Sequence, residues 1–189
     1  MPDPDLDPSI RVDWVDAGLL GDGLRGRLGL TILPGKRGKS VRYPGLVYRR
    51  DTRTDLARLR ELGVGFLALL VEDHELARWG DPGLVEQATA AGIRVRRLPI
   101  PDGKAPPSMT SVDELLAEIA AARETSDAVV ACMGGVGRSA TIAACALTVG
   151  GLSPDRAIAH LREVRHPAAV ETPPQAAFVA AYAAYRENR

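Results

Sequence analysis

Three short strand-like segments, each preceded or followed by a stretch with helical spacing, constrain this chain more than any other feature. Residues 65–71, 93–100 and 127–132 have the length and apolar character of strands. Between and around them, Leu56, Leu59 and Leu62 repeat at helical spacing up to Gly63, and Asp81-Pro82 opens a helix through Leu84 and Ala88 that stops at Gly92. Ser111 to Glu114 reads as a capping box ahead of Leu115 and Ile119. Helices follow over residues 138–149, from Ser153-Pro154, and from Thr172-Pro173 toward Tyr185. This alternation predicts one α/β domain: a mainly parallel central sheet flanked by helices, with ligands bound beyond the carboxyl ends of the strands. Glu72-Asp73-His74, Asp102 and Cys132 each fall just after a predicted strand, so they are expected on one edge.

Length agrees with a single domain, since 189 residues fall in the usual range of about 100–200. Residues 1–24 read as an N-terminal arm and lead-in, loosest over 1–9, and 25–189 as the domain proper. The stretch 33–45, rich in Gly, Pro and basic residues, reads as an exposed loop. No apolar run approaches the roughly 20 residues of a membrane helix. The acidic start lacks an apolar stretch and there are only two cysteines, so a reducing, cytoplasmic setting is expected.

Net charge is zero but unevenly spread. Residues 25–60 hold eleven basic side chains against Asp51 and Asp55. That excess reads either as a solvated face or as a rim steering an anionic substrate. With only Tyr43 and Tyr48 available for stacking in the basic stretch, a nucleic-acid groove is disfavoured.

The chemistry concentrates in residues 128–147, AVVACMGGVGRSATIAACAL, where a strand enters a glycine-rich loop that runs directly into a helix. Gly134, Gly135 and Gly137 allow successive backbone N–H groups to face inward as an anion nest, and the helix N-terminus adds its dipole. Cys132 opens this loop and Arg138 closes it. A thiol at a helix N-terminus beside an arginine is a competent nucleophile, and a guanidinium grips two phosphate oxygens. The loop lacks the lysine of a nucleotide P-loop. Its partial match to the dinucleotide fingerprint fails because Asp155 starts a helix rather than ending a second strand. Cys145, inside the helix, reads as a core residue. Asp102, in Pro-Asp-Gly on a Pro/Gly-rich segment, is either a turn residue or an acid that protonates a leaving oxygen. The three histidines have no mutual ligand spacing, and neither a metal nor a cofactor is expected.

Cys-x-x-Gly-x-x-Arg-Ser after a strand, with Pro-Ile-Pro-Asp-Gly upstream, resembles the cysteine-dependent protein phosphatases. Residues 28–35 (LGLTILPG) and 170–175 (VETPPQ) are similar to the kinase-associated phosphatase branch of the dual-specificity group. The resemblance implies that Cys132 attacks phosphorus, and that Arg138 with the amides of Met133, Gly134, Gly135, Val136 and Gly137 binds the phosphate oxygens. It also implies that Asp102 is the acid and later the base, that Ser139 stabilises the departing thiolate, and that Gln175 positions water. Thr172-x-x-Gln175 is equally a capping box. The implied partner is a phosphorylated protein or peptide, carrying phosphotyrosine or phosphoserine/threonine, with no nucleic acid and no membrane. One departure stands out: Ala131 occupies the position where this family usually carries histidine. It implies a slower enzyme or one favouring higher pH, or else a phosphoprotein-binding pseudophosphatase.

Overall fold

The chain enters its central sheet at Val12–Trp14 (β1) and continues through Leu28–Ile32 (β2), Val64–Leu69 (β5), Arg94–Arg97 (β6) and Asp127–Cys132 (β7). In space the order is β1-β2-β7-β5-β6, with β1 antiparallel to β2 and the other pairs parallel. Arg37–Lys39 (β3) and Val47–Arg49 (β4) form a separate antiparallel hairpin. The helices are Thr52–Glu61 (α1), Asp73–Trp79 (α2), Leu84–Ala90 (α3), Met109–Arg123 (α4), Arg138–Val149 (α5), Pro154–Val164 (α6) and Pro173–Glu187 (α7). The computed structural model describes residues 9–40 and 42–188, so the arm expected over residues 1–9 lies, but for Ser9, outside the described residues.

The crossover from β5 to β6 runs one way along the sheet, and the crossover from β6 to β7 runs back. Right-handed connections therefore put the intervening helices on opposite faces. The packing agrees: α1 and α3 contact each other and β5 or β6, while α4 to α7 pack together around α5 against the other face. The central strands β5 and β7 are buried along nearly their whole length, which is why they read as continuous apolar runs. The edge strand β6, Arg-Val-Arg-Arg, alternates arginine with valine and is partly exposed.

Three local expectations are corrected, and the lead-in gains structure. Within residues 1–24, expected as arm and lead-in, β1 pairs into the sheet, and Ile10, Val15 and Leu20 are core residues. The stretch 33–45 is not simply an exposed loop, because residues 33–36 are buried and residues 37–39 pair with β4. Helix α4 starts at Ser108 rather than Ser111, with the Ser108 hydroxyl accepting from the Ser111 N–H. Between β5 and α3 lies an additional helix, α2, opened by a Glu72–Glu75 capping box.

Candidate active site

Parallel pairing places the carboxyl ends of β5, β6 and β7 together, and the expected residues converge there. Cys132 ends β7, and its Sγ accepts a hydrogen bond from the Gly135 N–H at 3.2 Å. The loop is held inside out by contacts to its carbonyls. Arg165 donates from Nη2 to Gly134 O (2.8 Å) and from Nε to Gly135 O (3.2 Å), while its Nη1 is bound to Asp13 at 2.7 Å. The Val170 N–H holds Val136 O, and the Thr141 N–H and hydroxyl hold Gly137 O. With four successive carbonyls engaged on the outside, the backbone is turned so that the Gly135 N–H meets the sulfur. Gly135 has φ +67°, and a Cβ there would lie 2.5 Å from Thr31 O, so only glycine fits. Val170 itself takes φ +60°, a strained conformation for a β-branched residue, beside the loop it braces.

Arg138, the first residue of α5, is almost completely buried. Its Nη1 donates to Glu75 Oε2 (2.6 Å) and Ile100 O (2.8 Å), and its Nη2 donates to Glu75 Oε1 (2.8 Å). Nη2 also lies 3.1 Å from Asp102 Oδ1. Of the five guanidinium N–H groups, the Nε–H and the outer Nη2–H therefore form the edge open to a second bidentate partner. Burial works against the charged arginine, but Glu75, the Cys132 sulfur and Asp102 outweigh it and raise its pKa above the ordinary value. Burial likewise pushes the Glu75 carboxyl up. Hydrogen bonds from Arg138 and from the Glu72 N–H overcome that and hold it below its ordinary value. Glu75 and Arg165 were not identified from sequence. The Glu72-x-x-Glu75 pattern after a strand was a usable signal for the first; for Arg165 there was none.

Asp102 projects from the turn Pro101–Lys104, which is closed by the Lys104 N–H to Pro101 O at 3.0 Å. Its side chain is 80% exposed. The turn is anchored by the start of α7: the Thr172 hydroxyl donates to Gly103 O (2.9 Å) and Gln175 Nε2 to Lys104 O (3.3 Å). Gln175 is buried, and its Oε1 accepts from the N–H groups of Glu171 and Thr172, so it forms the capping box as well as facing the loop. The Ser139 hydroxyl is fully buried and has no hydrogen-bond partner among the described residues. Ala131 is fully buried in β7, and Cys145 lies in the core, where burial pushes its thiol far up.

A cleft of about 410 Å³ opens over Met133, Gly134, Val136 and Asp102. Its outer walls come from the β3–β4 hairpin, from Glu72 and His74 at the start of α2, and from the 165–171 segment. Arg42 pairs with Glu171, and Tyr43 Oη lies 3.4 Å from His166 Nε2, tying the hairpin side to that segment. Among the described residues no cluster of three potential metal ligands occurs, and no helix is long and apolar enough to cross a membrane.

Comparison with known proteins yields consistent matches. The family model described as cyclin-dependent kinase inhibitor 3 (CDKN3) matches residues 4–158. Cyclin-dependent kinase inhibitor 3 of Rattus norvegicus is 33% identical over 148 residues, which cover 77% of this chain and 66%, just under two thirds, of that protein. The solved structure of kinase associated phosphatase with its catalytic-site cysteine replaced by serine superposes with TM-score 0.82 at 26% identity, covering 96% of this chain and 98% of that one. Tk-PTP in the active form gives TM-score 0.64 at 30% identity, over 85% and 93% of the two chains.

Proposed function

The chain belongs to the cyclin-dependent kinase inhibitor 3 family, and from that premise we propose that it is a protein phosphatase working through a phosphocysteine intermediate. The observation that carries this reading is the inside-out loop: its four carbonyls are engaged, its Gly135 N–H reaches Cys132 Sγ, and Arg138 closes it at the start of α5. That is a preorganised site for a phosphoryl group in line with a sulfur nucleophile.

In the first step the Cys132 thiolate attacks phosphorus and the phosphorus–oxygen ester bond breaks. Protonated Asp102 gives its proton to the leaving oxygen. Asp102 stands 3.1 Å from Nη2, so an arriving phosphate competes with it for that donor, and the carboxyl turns outward toward the leaving group. In the second step the Asp102 carboxylate takes a proton from water. The water oxygen attacks phosphorus, the phosphorus–sulfur bond breaks, and inorganic phosphate leaves with the thiolate restored. The unpaired Ser139 hydroxyl is the donor for that thiolate. Gln175 positions water only through what its capping box leaves free, and its firmer role is anchoring the Asp102 turn.

The substrate is a phosphorylated protein side chain, tyrosine and serine/threonine both being admitted. The names of the relatives make a protein kinase the partner class to examine first. The test is steady-state hydrolysis of p-nitrophenyl phosphate, wild type against Cys132→Ser, with trapping of phosphocysteine by rapid acid quench. Turnover lost in Cys132→Ser supports the reading. Absence of turnover in the wild type, with phosphopeptide binding retained, would make the chain a binding pseudophosphatase.

A further inference from the structure

The structure sorts the basic stretch between residues 25 and 60. Several of its arginines are committed to the fold: Arg27 to Asp127 and over Trp14, Arg50 to Asp55, Arg58 to Glu61, and Arg60 to Val64 O. Lys36, Arg37, Lys39 and Arg42 instead line the cleft over the cysteine loop. Of these four, Lys36 lies 3.8 Å over the Tyr48 ring and Arg42 pairs with Glu171. Arg37 and Lys39 remain, both exposed, on one face of β3.

One of the two faces a like charge across the hairpin. Arg37 sits directly across the hairpin from Arg49, and like charges in that position repel. The hairpin has only three-residue strands, a length with little pairing energy to spare. Asp51 and Asp81 attract Arg37 from the side, but their hydrogen bonds go elsewhere: Asp51 caps α1, and Asp81 binds Thr52, Gln87 and the Gly83 N–H. An exposed cationic face that carries a like-charge pair across its hairpin and opens onto the cleft is what recognition of a second anion requires.

We propose that the Arg37–Lys39 face is a substrate subsite for a second anionic group, an Asp or Glu carboxylate or a second phosphate, close in sequence to the phosphorylated residue of a peptide. The proposal rests on the phosphatase reading for its orientation toward the cysteine loop. A peptide is favoured over a polyphosphorylated inositol headgroup, because Met133 to Gly137 contribute no basic side chain around the scissile phosphate.

Binding to the Cys132→Ser protein tests this without depending on turnover. Fluorescence anisotropy would compare matched phosphopeptides with Asp, phosphoserine, Ala or Lys scanned over about three positions on either side. Acid-flanked peptides should bind about three- to tenfold tighter than Ala-flanked ones, the preference shrinking with added salt. Adding Arg37→Gln and Lys39→Gln should erase the preference, Arg37→Glu with Lys39→Glu should turn it toward Lys-flanked peptides, and Arg58→Gln should leave it intact. No preference in the parent protein, or a preference that survives the paired substitutions, overturns the subsite. An inositol polyphosphate bound more tightly than any acidic peptide, with the same Arg37 and Lys39 dependence, overturns the peptide assignment. Turnover of p-nitrophenyl phosphate by the wild type reports separately on the phosphatase reading.

Discussion

The cysteine loop and the Asp102 turn face each other across Arg138, and they are built in opposite ways. From Gly134 to Gly137 each loop carbonyl is held from outside by Arg165, Val170 or Thr141. Arg138 is locked to Glu75 through two buried hydrogen bonds. Asp102 stands on a four-residue turn, largely in solvent, paired with Arg138 Nη2 and anchored to α7 through the backbone oxygens of Gly103 and Lys104. The difference fits the proposed chemistry. Charge stabilisation gains from dipoles that do not reorganise, whereas a proton donor must meet leaving oxygens of different reach and then serve a water molecule. The loop is therefore expected to act on every substrate alike, and the turn to act selectively.

The largest effect should come from the turn, and on one substrate class only. Asp102→Ala should slow turnover of an alkyl phosphate by about 10²–10⁴-fold, while an ester of an acidic phenol loses far less because its leaving oxygen needs no proton. Equal losses on both would break the contrast and move the acid to Glu72 or Asp73. Arg138→Lys should follow at about 10²–10³-fold, the same on both substrates and close to Arg138→Ala, since a point charge cannot reproduce a planar fork. A lysine variant retaining most activity would show that bidentate binding is the wrong account of Arg138.

The same contrast explains what could be read from the residues alone. Cys132, the glycines, Arg138 and Ser139 lie in one unbroken strand–loop–helix, where backbone requirement and chemistry coincide within a few positions. Asp102 was legible as a turn residue, and the parallel order of β5, β6 and β7 brought it to the same edge. Glu75 was hidden because 63 residues separate it from Arg138 and only the crossover topology joins them. Arg165 and Asp13 meet across nearly the whole chain, and nothing in an arginine-rich sequence distinguishes that arginine. The β3–β4 hairpin escaped because Arg-Gly-Lys shows no apolar alternation. The start of α4 was misread since Ser108 and Ser111 both suit a cap. Pro106-Pro107 keeps the chain extended up to residue 106, and Ser108 is the first cap after it.

Glu75 offers a sharper probe of the rigid side. Glu75→Ala leaves the buried guanidinium without its partner, and removing one member of a buried pair costs about 3–5 kcal/mol of stability. The Glu75 carboxyl sits below its ordinary value of 4.5 in the folded protein, so the unfolded chain takes up the proton first. Its stabilisation is accordingly complete above that pH and lost as pH falls through the folded value. The stability gap between wild type and Glu75→Ala, from urea unfolding, should be constant near neutrality and close below about pH 4.5. Asp22, Asp81 and Asp113, also held low, act in the same direction in both proteins and cancel in the difference. A gap independent of pH would mean that Glu75 contributes by packing and not by charge.

The smallest expected effect tests how the exposed side is anchored. Thr172 Oγ donates to Gly103 O and also accepts from the Gln175 N–H, so one hydroxyl links the α7 cap to the acid turn. Thr172→Val keeps the shape and removes both bonds. A single neutral hydrogen bond contributes about 0.5–1.5 kcal/mol, so turnover of alkyl phosphates should fall by roughly three- to tenfold. The loss should appear in kcat rather than KM, because a displaced acid leaves phosphate binding untouched while proton transfer suffers. Aryl esters with acidic phenols should be nearly unaffected, and Thr172→Ser should restore the alkyl rate. If Thr172→Val instead slows both substrates equally and serine does not rescue, the hydroxyl serves only the stability of α7. The Asp102 turn would then hold its place without that anchor, and the division between a locked loop and an anchored turn would have to be redrawn around Gln175.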